Sequence, residues 1–189
     1  MSIAGPPRKT MTAEEIFALP DDGIDRELIR GELRERPMTR RNRGHSGAEA
    51  KIAKILGNWL DTRPSPRGAI HSGEAGFRLR RDPETMVGID VAYASAELVA
   101  STDPKAVFYE GAPTLAVEIL SPSDQHGDVS DKVDLYLEAG SVVWVVDPRF
   151  RSVSVYRPGR DVEHFNKSQE LSGEPELPGF RVPVAELFT

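Results

Sequence analysis

Leu115-Ala116-Val117-Glu118-Ile119-Leu120-Ser121-Pro122-Ser123 is a short apolar run with one carboxylate in its middle, closed by a Ser-Pro turn. Its length suits a strand buried in a sheet, and Pro122 stops it. A carboxylate in such surroundings is costly to desolvate unless it is paired or bound to a cation. Glu118 therefore either faces solvent by simple alternation or takes part in chemistry. A second acid, Asp90, sits in Ile89-Asp90-Val91-Ala92-Tyr93-Ala94, another short strand, and Lys132 lies on the helix that follows the first run.

Upstream, Thr12-Ala13-Glu14-Glu15 has capping-box spacing and opens a short helix to about Leu19, which Pro20 and the following Asp-Asp-Gly turn end. Arg26 to Leu33 gives two extended runs around Arg30-Gly31, a hairpin. A long helix follows from about Arg43 to Leu60. Ala48, Ile52, Ile55, Leu56 and Trp59 fall at i, i+4, i+7, i+8 and i+11, one apolar stripe, until Pro64 and Pro66 break the pattern. Ala69 to Leu79 reads as a strand before the one that carries Asp90, with Arg81-Asp82-Pro83 between them.

Downstream, Asp128 to Glu138 is a second clear helix with Val129, Val133, Tyr136 and Leu137 on its apolar face. Val142 to Val146 is a continuous apolar run, as in a strand buried on both faces, and Val153-Ser154-Val155-Tyr156 alternates as its partner. From Asn166 the chain carries Pro175, Pro178 and Pro183 and reads as mostly loop. The order of elements predicts a mixed α/β sheet flanked by helices. Residues 1–11 form a loose N-terminal segment and 12–189 a single domain with a loop-rich C-terminal tail.

The 189 residues include 39% apolar and 29% charged, so a packed core is expected rather than wholesale disorder. The absence of cysteine excludes disulfides, thiolate metal sites and cysteine nucleophiles. No apolar run approaches the roughly 18 residues that span a bilayer, and the N-terminus has no signal-peptide core, so a soluble cytoplasmic protein is expected. GxxxxGK, HExxH and GxSxG are all missing, which argues against a P-loop NTPase, a zincin and an α/β-hydrolase. The net charge of −6 does not exclude nucleic acid, because five of the 24 basic residues, Arg34, Arg36, Arg40, Arg41 and Arg43, fall within ten positions. Arg40, Arg41, Arg43 and the adjacent His45 are candidate nucleic-acid contacts. Two carboxylates and a lysine on adjoining elements point to hydrolysis of a phosphodiester. Asp90 and Glu118 would hold Mg²⁺, which prefers carboxylate oxygens and keeps its own waters, and Lys132 would steer the attacking water. Asp128, one helical turn before Lys132, is placed to hold it.

As an ordered set, Glu27-Leu28-Ile29-Arg30-Gly31-Glu32, His45-Ser46, Ile89-Asp90-Val91, Glu118 to Ser123, Lys132 with Tyr136, and Val143-Trp144-Val145-Val146-Asp147-Pro148 resemble the PD-(D/E)XK superfamily. This is the restriction-endonuclease-like superfamily, and within it the chain is most similar to a widespread bacterial restriction-endonuclease family of the Uma-two type. The resemblance spans roughly residues 12 to 160. It implies a restriction-endonuclease-like core with Asp90 and Glu118 as metal ligands, Mg²⁺ or Mn²⁺ as cofactor, and Glu27 as a supporting acid. In that superfamily the lysine stands two residues after the second acid. Here that position is Leu120, and Lys132 is the relocated lysine. Ile89 stands where the family usually has proline. DNA is the implied substrate, and a homodimer is expected because cutting both strands takes two sites. Two other readings share the residues: a catalytically inactive member of the fold that binds nucleic acid or protein, and an unrelated metal-dependent hydrolase of a small substrate.

Overall fold

The computed structural model describes residues 11–20, 22–38, 42–122 and 126–188. The chain opens with α1 (Ala13–Phe17), where Thr12 Oγ1 accepts from Glu15 N and Glu15 returns the bond, the capping box that the spacing predicts. Then come β1 (Ile24–Ile29), β2 (Glu32–Pro37), α2 (Arg43–Asp61), β3 (Ala69–Arg81), β4 (Glu84–Ala94), α3 (Ala96–Ser101), β5 (Tyr109–Glu110) and β6 (Leu115–Ile119). The second half holds α4 (His126–Glu138), β7 (Val142–Asp147), β8 (Ser152–Tyr156), β9 (Glu163–Asn166), β10 (Glu170–Ser172) and β11 (Arg181–Pro183), and ends in a 3-10 turn, Val184–Phe188.

Nine strands form one mixed sheet in the order β2-β1-β4-β6-β7-β8-β9, with β3 paired to β4 and β5 paired to β3. β4 is the hub. It runs antiparallel to β3 along its length, meets β1 at Leu28–Met86, and meets β6 at Val91–Val117 and the two pairs beyond. β6 and β7 are parallel, and parallel neighbours need a crossover, which α4 supplies.

Alternation along these strands makes two cores. Val91, Val117 and Trp144 face Ala48, Ile52, Leu56 and Trp59 of α2, while Ala92, Ala116 and Val143 face Val133 and Tyr136 of α4. The sheet is thus clad by one long helix on each face. That explains why β7 is apolar at every position from Val142 to Val146, all of them buried.

Two departures from the sequence reading are instructive. Ala96–Ser101, which gave no helical signal, is a short helix with Ser95 as its N-cap, its side chain accepting from Leu98 N at 3.2 Å. The tail, expected as mostly loop, sends Leu171, Leu177, Phe180, Val182, Val184 and Leu187 into the α2 core. Phe180 lies edge-on to Trp59 at 6.3 Å and tilted against Trp144 at 5.5 Å between ring centres. These side chains follow no helical or strand period, so only their apolarity advertised burial. Phe180→Ala is expected to cost about 3–5 kcal/mol through lost contacts and a residual cavity. A shift of the urea midpoint with unchanged slope would register this, and a loss under about 1 kcal/mol would show the tail to be dispensable.

Candidate functional site

The site lies where β1, β4, β6 and α4 meet. β3 pairs Ser72 with Val91 and Ala75 with Ile89, so Gly73 and Glu74 stand opposite the single residue Asp90. This is a bulge with one extra residue, and both Gly73 and Glu74 take left-handed backbone, with φ of 81° and 60°. Bulges re-aim the neighbouring side chains, and here the ladder is disrupted beside Asp90. Asp90 lies one step beyond the Val91–Val117 pair, as does Glu118 on β6. Past the end of that ladder the Asp90 side chain takes over, and its Oδ2 accepts from Ile119 N at 2.8 Å.

The other oxygen, Asp90 Oδ1, lies 3.2 Å from His45 Nε2. His45 opens α2, where Asn42 caps the helix by accepting from His45 N at 3.0 Å. Glu49 follows one turn later on the same helix face, its Oε2 3.7 Å from His45 Nδ1. One donor atom from each of His45, Glu49 and Asp90 lies within 4.8 Å of the other two, spacing that a single cation can span.

Glu118 looks the other way, toward α4. Its Oε1 accepts from Tyr136 OH at 2.6 Å and lies 3.0 Å from Lys132 Nζ. Lys132 and Tyr136 are four apart, so one helix face delivers both. The Lys132 ammonium also lies 3.1 Å from Glu27 Oε1 and donates to Gly88 O at 3.0 Å. Gly88 N in turn donates to Glu27 Oε1 at 3.3 Å. Glu74 packs close over Gly88, where a Cβ would sit 2.8 Å from Glu74 Oε2 and 3.3 Å from Glu74 Cβ.

The charges are coupled. Burial pushes Glu118 up to about 7 from the ordinary 4.5. Lys132 opposes that rise, Asp90 adds to it, the Tyr136 hydrogen bond lowers it and Glu27 raises it. Burial acts most strongly, to lower the Lys132 ammonium, but Glu118, Tyr136 and Glu27 together outweigh it and hold the group well above the usual lysine value. Tyr136 is pushed well above its ordinary value, by burial first and then by Glu118, so it remains a hydrogen-bond donor.

The structure therefore brings Glu27, Glu118 and Lys132 into direct contact and sets Asp90 beside them with its carboxylate turned to His45. His45, proposed as a nucleic-acid contact, is fully buried and touches Asp90. Arg43 is exposed at the first position of α2, while Arg34 reaches across to Asp131 at 2.9 Å. Arg40, Arg41 and the Asp128 side chain lie outside the described residues. Glu49 escaped sequence reasoning, although its spacing of four from His45 was a signal that could have found it.

A family model described as "Uma2: Putative restriction endonuclease" matches residues 13–185. The chain belongs to the Uma2 family. Among solved structures, this Uma2 chain is similar to one titled a "putative nuclease belonging to DUF820" from Anabaena variabilis ATCC 29413. The TM-score is 0.78 at 20% identity, over 94% of this chain and 97% of that one. At that identity the likeness establishes the fold, the restriction-endonuclease-like mixed sheet flanked by helices. No curated protein matches. Among the described residues of this Uma2 member, no helix is long and apolar enough to cross a membrane.

Proposed function

We propose that this protein is a divalent-metal-dependent nuclease that hydrolyses DNA phosphodiester bonds. The observation that carries the reading is the convergence of Glu27, Asp90 and Glu118, each mostly or wholly buried, on one junction with Lys132. Despite the ammonium 3.0 Å away, Glu118 is still driven up to about 7. A near-buried cluster whose acids outweigh its lysine is stabilised by a further positive charge. The donor set suits a divalent ion. Asp90, with His45 and Glu49 beside it and Glu118 one strand over, would hold the ion. Bound there, it would neutralise phosphate oxygens and make a water acidic enough to lose its proton near neutral pH.

The chain's own groups take the remaining roles. Lys132 orients the attacking water and stabilises the charge that gathers on the phosphate, and Glu27 and Gly88 O fix its ammonium. Tyr136 holds Glu118 in one rotamer. Held there, Glu118 would present its carboxylate to the ion. Cutting both strands of a duplex would take two such sites and hence a pair of chains.

The test is cleavage of supercoiled plasmid under Mg²⁺ and under Mn²⁺. Both ions should support nicking, with Mn²⁺ the better because an imidazole donor suits it more than Mg²⁺. EDTA should abolish the activity, and Glu118→Gln, close in shape, should remain folded and inactive. Cleavage that survives in Glu118→Gln, or none under any divalent ion, rules the reading out.

A further inference from the structure

The turn between β7 and β8 reads Asp147-Pro148-Arg149-Phe150-Arg151. Phe150 is 68% exposed, more than any other large apolar side chain among the described residues. A stray apolar side chain on a surface is ordinary. Three observations set this one apart. Arginines flank it on both sides, and the Arg149 guanidinium lies 5.2 Å from the ring centre. The turn is fixed rather than loose, because Asp147 Oδ1 accepts from Arg149 N at 2.8 Å and from Phe150 N at 3.1 Å. The ring also stands at the edge of a groove of about 940 Å³. That volume falls within the roughly 300–1,000 Å³ typical of ligand sites.

The groove lies next to the candidate site: Val145, the β7 partner of Glu118, lines it, whereas Glu27, Asp90, Glu118 and Lys132 do not. Leu120 and Ser121, directly after the strand that ends beyond Glu118, line one part of it. Val133, next to Lys132, lines it too, as do Tyr156 and Phe150. A nucleic-acid strand with its scissile phosphate at Glu118 and Lys132 therefore has this groove beside its next nucleotide.

We propose that the groove receives an unpaired nucleotide flanking the scissile phosphate, so that the preferred substrate is single-stranded nucleic acid or an unpaired region of a larger one. Phe150 stacks on the base, and Arg149 and Arg151 pair with backbone phosphates on either side. Aromatic stacking suits an unpaired base because both its faces are free, and it tolerates every base. In a duplex those faces are already covered by neighbouring pairs, and exposing one costs unstacking. Asp134 also lines the groove and can accept from an exocyclic amino group. The inference rests on the nuclease reading and narrows its substrate.

The experiment is fluorescence anisotropy with the full chain in Ca²⁺, using a labelled DNA strand, its RNA counterpart and the blunt DNA duplex. Wild type should bind single strands about tenfold more tightly than duplex, and the two strands decide between DNA and RNA. Phe150→Ala should lose about tenfold on single strands and little on duplex, with unchanged thermal stability because the ring is exposed. Phe150→Trp should keep the affinity, and its fluorescence should be quenched by the bound base. Unchanged single-strand binding by Phe150→Ala, or preference for duplex, overturns the proposal. So does a change of Phe150→Ala from dimer to monomer in sedimentation, which would make the groove a docking face for a second copy. If wild type cuts plasmid and Phe150→Ala binds and cuts as wild type does, only the groove assignment falls. If wild type neither binds nor cuts any nucleic acid, both readings fall.

Discussion

Lys132→Met is expected to abolish cleavage and to destabilise the fold more at alkaline than at acidic pH. The ammonium lies within about 3 Å of Glu27 Oε1, Glu118 Oε1 and Gly88 O at once. A thioether of similar length fills the space but leaves two carboxylates with no shared counter-charge. Removing one partner of such a near-buried group costs about 3–5 kcal/mol. The pH dependence follows from Glu118, whose folded value of about 7 lies above the ordinary 4.5. A carboxyl raised on folding favours the folded state fully below its unfolded value, and that contribution is lost as pH climbs through the folded one. Without Lys132 the folded value rises further, so the loss extends to higher pH. Urea titrations near about pH 5 and about pH 9 should show the deficit against wild type growing with pH. An equal deficit at both would mean that Lys132 serves packing alone.

Asp90→Asn should abolish cleavage and weaken Mn²⁺ binding by at least about a hundredfold, because even groups that only support a metal ligand cost 10–100-fold when removed. Asparagine can keep the acceptor for Ile119 N and changes little else, so folding should persist. Glu49→Gln is the sharper companion, since it lies on the far side of His45 from Asp90. If His45, Glu49 and Asp90 share the ion, isothermal titration with Mn²⁺ should show both variants impaired. If Glu118 and Asp90 alone hold it, Glu49→Gln should bind as wild type does.

The strands bearing Asp90 and Glu118, the amphipathic α2 and the lysine-bearing α4 were all legible, because each carries a period that matches its element. The contact between Lys132 and Glu118 was within reach of the same reasoning, since a helix following a buried strand packs back on the sheet. The bulge was not. Gly73 and Glu74 read as ordinary strand residues, and only pairing with β4 shows two of them opposite Asp90. Glu49 lies one turn from His45 on the same helix, and that spacing gains meaning only when Asp90 arrives from β4. Phe150 gave no signal at all, since exposure depends on what the rest of the chain leaves uncovered. The basic run near Arg40 drew attention through local density, whereas Arg149 lies outside any such run and gains meaning from the groove it lines.

Glu27, Asp90, Glu118 and Lys132 come from four segments scattered over most of the chain, and the bond from Gly88 to Glu27 alone closes a separation of 61 residues. Contacts so distant in sequence form late in folding, after loop-closure entropy has been overcome. A partly folded chain in which only β6 and α4 have met therefore holds Glu118 with Lys132 and Tyr136 but lacks Glu27 and Asp90. On the nuclease reading proposed above, the full constellation exists only once β1, β4, β6 and α4 have come together.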